Sequence, residues 1–136
     1  MRLFLSMFLI SSVACHASNE EKPFSEFWAK FREASLAEDY SSLKKLVKFP
    51  LEVRGVDDEI PAEFYAQDKI AEVFPQLLAQ TVYNYEQDDL EGKPLKELIQ
   101  KKTVVNVEPG KVNHRVEQFE FQKIEGQWLL VRAYLE

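Results

Sequence analysis

Val112-Asn113-His114-Arg115-Val116-Glu117-Gln118-Phe119-Glu120-Phe121-Gln122-Lys123-Ile124, followed by Glu125-Gly126 and then Gln127-Trp128-Leu129-Leu130-Val131-Arg132-Ala133-Tyr134-Leu135, decides the fold. Alternating, β-branched and aromatic residues make both runs strands, and Glu125-Gly126 is a turn between them. Just upstream, Thr103 to Val107 is strand-like and Pro109-Gly110 supplies another turn. The three segments predict an antiparallel meander. Within 112–124, Val112, His114 and Val116 share one parity while Phe119 and Phe121 share the other. One straight strand cannot put both sets on one face, so the pattern predicts a β-bulge near Glu117-Gln118.

Towards the N-terminus the period changes. Phe24, Phe27, Trp28, Phe31 and Ala34 recur at helical spacing behind Pro23, which suits a first helical turn. This predicts an amphipathic helix with an aromatic inner face. A second helix is expected at about 38–48, with Tyr40, Leu43, Leu46 and Val47 inward and Pro50 ending it. Phe49, Leu51 and Val53 then alternate, predicting a strand over 49–54 with Pro50 at its start or edge. After an acidic turn over 55–59, Pro61-Ala62-Glu63-Phe64 is expected to open a third helix whose face includes Phe64, Ile70, Val73, Phe74, Leu77 and Leu78. Pro75 predicts a break or kink within it. Val82 to Tyr85 reads as a brief strand, Asp88 to Gly92 as a loop, and Pro94 to Lys101 as a short helix.

The chain has 136 residues, 17 Lys+Arg, 23 Asp+Glu, one Cys and a net charge of −6. Its first residues, Met1 to Ala17, combine a basic start at Arg2, a short uncharged apolar core and small residues, the pattern of a secretory signal peptide. The core is shorter than the roughly 20 residues of a membrane span. Cleavage is expected before Ser18, leaving one domain over 18–136. Alternatively Ser12-Val13-Ala14-Cys15 acts as a bacterial lipobox, with cleavage before Cys15 and a lipid on its sulfur. The protein is thus expected to be exported, periplasmic or associated with the outer membrane. Loss of residues 1–17 removes Arg2 and no acid, so the charge becomes −7. That charge, with no Lys/Arg run longer than two, speaks against nucleic acid.

The order helix, helix, strand, helix, antiparallel strands resembles the NTF2-like superfamily. The stretch Phe27-Trp28 … Phe31 … Ala34 … Asp39 … Leu43 … Leu46-Val47 … Phe49-Pro50-Leu51 is similar to secreted bacterial members of that superfamily whose function is unknown. The ending Phe119 … Phe121 … Lys123-Ile124-Glu125-Gly126-Gln127-Trp128-Leu129-Leu130-Val131 resembles its final hairpin. The resemblance implies an α+β cone, with N-terminal helices packed on a curved antiparallel sheet. It also implies a pocket between sheet and helix, which catalytic members furnish with an Asp and often a His or Tyr. Isomerases, dehydratases, transport factors and binding domains all occur on this fold, so fold does not decide activity.

Few residues carry chemistry. His114, the only His after residue 17, is a candidate pocket base or an ordinary strand residue. Asp39 is a candidate base or a helix cap. Arg54 is a candidate anion ligand or an ion-pair partner, and Tyr83 and Tyr85 are candidates for the rim of a ligand site or for packing. Asp57-Asp58-Glu59 and Asp88-Asp89-Leu90-Glu91 lack the spacing of a calcium loop, which needs about six to eight oxygens. One His and no Cys after residue 17 leave no zinc set. There is no nucleophile elbow and no glycine-rich phosphate loop, so no metal or cofactor is expected. Leu129, Val131, Ala133 and Leu135 share an apolar parity, which predicts a homodimer through the outer sheet face if they point outward. The reading favours a non-catalytic exported domain that binds a small apolar ligand or a protein partner. The alternatives are an isomerase, dehydratase or hydrolase with a pocket base, and a lipid-anchored interaction protein or inhibitor.

Overall fold

The computed structural model describes residues 22–136. The expected signal peptide, its cleavage sites and Cys15 lie outside the described residues. The fold is α+β, with helices packed on one face of an open five-stranded sheet of order β2-β1-β7-β6-β5.

Helix α1 spans Phe24–Leu36 and buries Phe24, Phe27, Trp28, Phe31, Ala34 and Ser35. Pro23, extended at φ −64° and ψ 154°, accepts the first amide hydrogens from Glu26 and Phe27. At the other end Glu38 turns left-handed at φ 55°, and the amide of Asp39 reaches back to the carbonyl of Ala34 at 2.9 Å. The second helix is much shorter than its periodicity suggests. α2 covers Tyr40–Leu43 and tightens into a 3-10 turn over Lys44–Leu46. Val47 already belongs to a strand because it faces Leu130 across the sheet.

Strand β1 spans Val47–Arg54, with Val47, Leu51 and Val53 buried. Pro50 lies inside it and not at its start, beyond a cis Phe49–Pro50 peptide. The ladder to β7 breaks register between Val47 and Glu52, so the missing amide falls in the irregular stretch.

The expected helix start at Pro61 is overturned. Glu63–Tyr65 forms β2, antiparallel to β1, with Leu51 opposite Tyr65 and Val53 opposite Glu63. Phe64, assigned by its spacing to a helix face, is 62% exposed on the other side of the strand. Helix α3 begins later, at Ile70–Ala79, after a 3-10 turn. Pro75 sits within α3 and does not end it. It forgoes one bond, to the carbonyl four residues back, while burial of Ile70, Val73, Phe74, Leu77 and Leu78 carries the helix onward.

Thr81–Asn84 forms β3 as expected, but the expected loop at 88–92 is strand β4, Asp89–Pro94. The two make a separate hairpin joined by a 3-10 turn, and Asp88 takes the left-handed conformation that lets the chain return. Helix α4 follows at Leu95–Lys101. Thr103 to Val107 joins no ladder, although Val105 and Val107 still pack against the core.

The parity change in 112–124 is a hairpin turn, not a bulge. β5 is Asn113–Val116 and β6 is Phe119–Ile124, joined at Glu117, which has φ 52°. Folding the segment back places Val116 against Phe119 and His114 against Phe121. The next turn, Glu125-Gly126, has positive φ at both positions, matching the twist of a tight hairpin. β7, Gln127–Tyr134, lies antiparallel to β6 and parallel to β1. Its own register slips between Leu130 and Arg132, leaving Val131 as the extra residue. Trp128 and Leu130 face the core before the slip, and Ala133 after it. The apolar set Leu129, Val131, Ala133, Leu135 is therefore split between the two faces of the sheet.

Candidate functional site

The space between α1 and the sheet is filled by aromatic rings. Phe24, Phe27, Trp28, Phe31, Phe74, Phe119, Phe121 and Trp128 are each less than a tenth exposed. Their centroids lie 5.0 to 6.4 Å apart, mostly edge-to-face, as in the Phe31–Phe121 and Phe24–Trp128 pairs. Rings at these distances interlock as a packed core.

His114 sits at the margin of this cluster, half-buried on β5, with its ring 5.2 Å from that of Phe24 in an edge-on contact. Burial, and then the charge of Lys111, hold its pKa below the ordinary value. It is a side chain packed edge-on against a phenylalanine.

Asp39 lies elsewhere, at the N-cap of α2. Its carboxylate accepts the Ser42 amide at 3.2 Å and the Ser42 hydroxyl at 2.7 Å. The side-chain bond and then the backbone bond hold its pKa down, which makes it a poor general base. It borders a surface groove of about 420 Å³ between α1 and α2, where Lys30 and Lys45 balance Glu33 and Asp39. His114 and Asp39 thus act on different parts of the surface, each in the structural role open to it from the sequence.

Arg54 is paired. Its guanidinium meets Glu52 at 2.9 Å on the outer face of the sheet. There the registers align Phe64, Glu52, Arg132, Glu120 and Arg115 in one row across all five strands. Arg132 forms hydrogen-bonded ion pairs with both Glu52 and Glu120. Burial works to raise the Glu52 pKa, but the hydrogen bonds from Arg132 and Arg54 outweigh it and hold the carboxyl below its ordinary range. For Arg132, burial favours the neutral form, and the bonds to Glu52, Tyr134 and Glu120 overcome it, so the guanidinium stays charged. Arg115 lies 4.2 Å from the Tyr134 ring centroid. This face is a charge ladder of alternating sign. Its one readable signal in sequence is Arg132, a lone charge within the apolar run of β7.

Tyr83 and Tyr85 do come together. Their rings stack with centroids 6.1 Å apart, on the β3–β4 hairpin and outside the sheet. Tyr85 is 73% exposed. Among the described residues no group of three or more His, Cys, Asp or Glu side chains is placed to hold a metal ion. No described helix is long and apolar enough to cross a membrane. Comparison with protein-family models, curated proteins and solved structures finds no match for this chain.

Proposed function

We propose that this chain is an exported, non-catalytic domain of NTF2-like type that acts in the bacterial envelope by binding a protein partner. The observation that carries this reading is the filled interior. A small apolar ligand or a substrate needs a hollow with a few convergent polar groups. Between α1 and the sheet, eight interlocked rings occupy that position. The two candidate bases support the same reading, since His114 packs on Phe24 and Asp39 caps α2. Binding then falls to the outer surface, where Tyr85 and Leu90 are about three-quarters exposed. Export rests on the composition of residues 1–17, and the NTF2-like assignment on the order of elements and the residues of α1 and the last hairpin.

The test is the mass of the protein recovered from its own cells. The denatured chain is expected to begin at Ser18, or at Cys15 with acyl groups. The native particle is expected to carry no small molecule. A chain that retains Met1 to Ala17 overturns export, and a stoichiometric small-molecule adduct overturns the protein-binding reading.

A further inference from the structure

The β3–β4 hairpin stands apart from the five-stranded sheet and carries an unusual surface. Tyr83 and Tyr85 stack on each other at 23° between planes, and Leu90 beside them in the hairpin is 74% exposed. Residues 81–94 contain four acids and one lysine. Of these acids, Glu86, Asp88 and Glu91 are exposed.

The tyrosine pair is anchored. Gly92 has φ +70°, and a Cβ there would lie 3.0 Å from ring atoms of Tyr83 and 2.5 Å from Thr81 Cγ2. The Tyr83 ring therefore lies against bare backbone of β4. The Tyr83 amide donates to Glu136 Oε2 at 3.1 Å, and Gln118 Nε2 donates to the other oxygen of that carboxylate at 2.9 Å. The Glu136 amide in turn donates to Gln80 Oε1 at 3.1 Å. These bonds tie the start of the hairpin to Glu136, just beyond the last strand of the sheet.

Building on the protein-binding reading, we propose that this hairpin docks a basic, arginine-bearing segment of a partner protein, with a guanidinium seated on the Tyr85 ring. An aromatic face attracts a cation, arginine above all, and neighbouring carboxylates add to that attraction. The chain already uses the same pairing where Arg115 lies over Tyr134. Charge sets aside the other occupants. A second copy would bring acidic hairpin to acidic hairpin on molecules that are both net negative. Nucleic acid and anionic lipid would be repelled.

The probe is a synthetic Gly-Arg repeat peptide, with Gly-Glu repeats for comparison, titrated into the intact mature protein while the tyrosine ring signals are followed by NMR. The Gly-Arg peptide is expected to shift the Tyr83 and Tyr85 rings, and the Gly-Glu peptide to leave them unmoved. Tyr85→Ala is expected to weaken binding about fivefold. It alters an exposed side chain, and an unchanged melting temperature confirms folding. Glu86→Gln with Glu91→Gln is expected to weaken it by a similar factor. Asp57→Asn with Glu59→Gln, which removes equal charge from the other acidic loop, is expected to leave affinity within twofold. Equal losses from the two charge-removing pairs overturn the proposal, as do unmoved rings. If the proposal falls this way and the native protein carries no small molecule, the protein-binding reading survives at another surface.

Discussion

Trp28 Nε1 donates a 2.7 Å hydrogen bond to the carbonyl of Lys102, 74 residues further along the chain. Beside it, Arg32 Nε donates to the carbonyl of Ile99 at 3.1 Å and its Nη2 to that of Gln100 at 2.7 Å. Helix α1 thus satisfies the carbonyls of Gln100 and Lys102 at the end of α4, and shares that of Ile99 with the Lys102 amide, which reaches it at 3.2 Å. A cation in that position also complements the helix dipole. The indole itself is fully buried.

Trp28→Phe is therefore expected to keep most of the ring packing and orphan the Lys102 carbonyl, on top of a smaller loss of ring area. The expected cost is about 1–3 kcal/mol, read from urea unfolding. Amide exchange should quicken in α4 more than in β1, because the lost bond ends on Lys102, the C-cap of α4. Equal protection in both elements would contradict the role given to this bond.

Arg132→Gln leaves Glu52, only 12% exposed, with Arg54 alone, and leaves Glu120 without its guanidinium. Removing one partner from a mostly shielded pair is expected to cost about 1–3 kcal/mol at pH 7, below the fully buried case because solvent still reaches the site. The pH dependence has a definite sign. In the wild type the folded Glu52 pKa is lowered, so its contribution is complete above the ordinary value of 4.5 and is lost as pH falls below that value towards the lower folded one. In the variant the carboxylate is charged and poorly paired at neutral pH, and protonation relieves it. The stability gap between the two proteins should narrow between pH 7 and pH 4. A gap that widens would contradict this.

Phe31→Ala removes a ring that meets Phe27, Trp28, Phe74, Phe119 and Phe121. The expected cost is about 3–5 kcal/mol. The hollow left behind is apolar and should bind benzene, raising the melting temperature of the variant. The wild type, whose interior is occupied, should show no such rise. A benzene-dependent rise in the wild type would reveal a pre-existing cavity and reopen the small-ligand reading.

His114 gives the fourth prediction. Its folded pKa lies below the ordinary 6.5, so the unfolded chain takes up the proton first. Stability should therefore fall as pH drops through 6.5 towards the lower folded value. His114→Gln should flatten the urea midpoint between pH 7.5 and pH 5.5. Parallel profiles for the two proteins would assign the slope to other groups.

Several features were legible from local pattern. Phe24, Phe27, Trp28 and Phe31 repeat at helical spacing and are the buried face of α1. Leu51 and Val53 alternate and are the buried face of β1. Asp39 precedes a short helix and caps it, and Arg54 pairs with a near neighbour in its own strand. Each depends on residues a few positions apart, where period and capping chemistry act directly.

Other features misled for physical reasons. Phe64 follows a helix-like opening at Pro61-Ala62-Glu63 and precedes the apolar face of α3, yet pairing with β1 draws residues 63–65 into the sheet. The parity change at Glu117-Gln118 fits a bulge and a turn equally well, because both reverse which side chains face inward. Only the pairing of Val116 with Phe119 selects the turn. Thr103 to Val107 has the composition of a strand but finds no ladder.

The sequence by itself determined the class of fold, the aromatic face of the first helix, the last hairpin and the acidic balance, since all of these follow from composition and short-range period. Tertiary structure alone decided that α1 caps α4, that Val131 slips the last strand, and that Glu52, Arg132 and Glu120 meet in one row. It also decided that rings fill the interior. Those outcomes depend on which strands become neighbours and in what register, and a register is chosen by the free energy of the whole packed core, to which residues far apart in sequence contribute together.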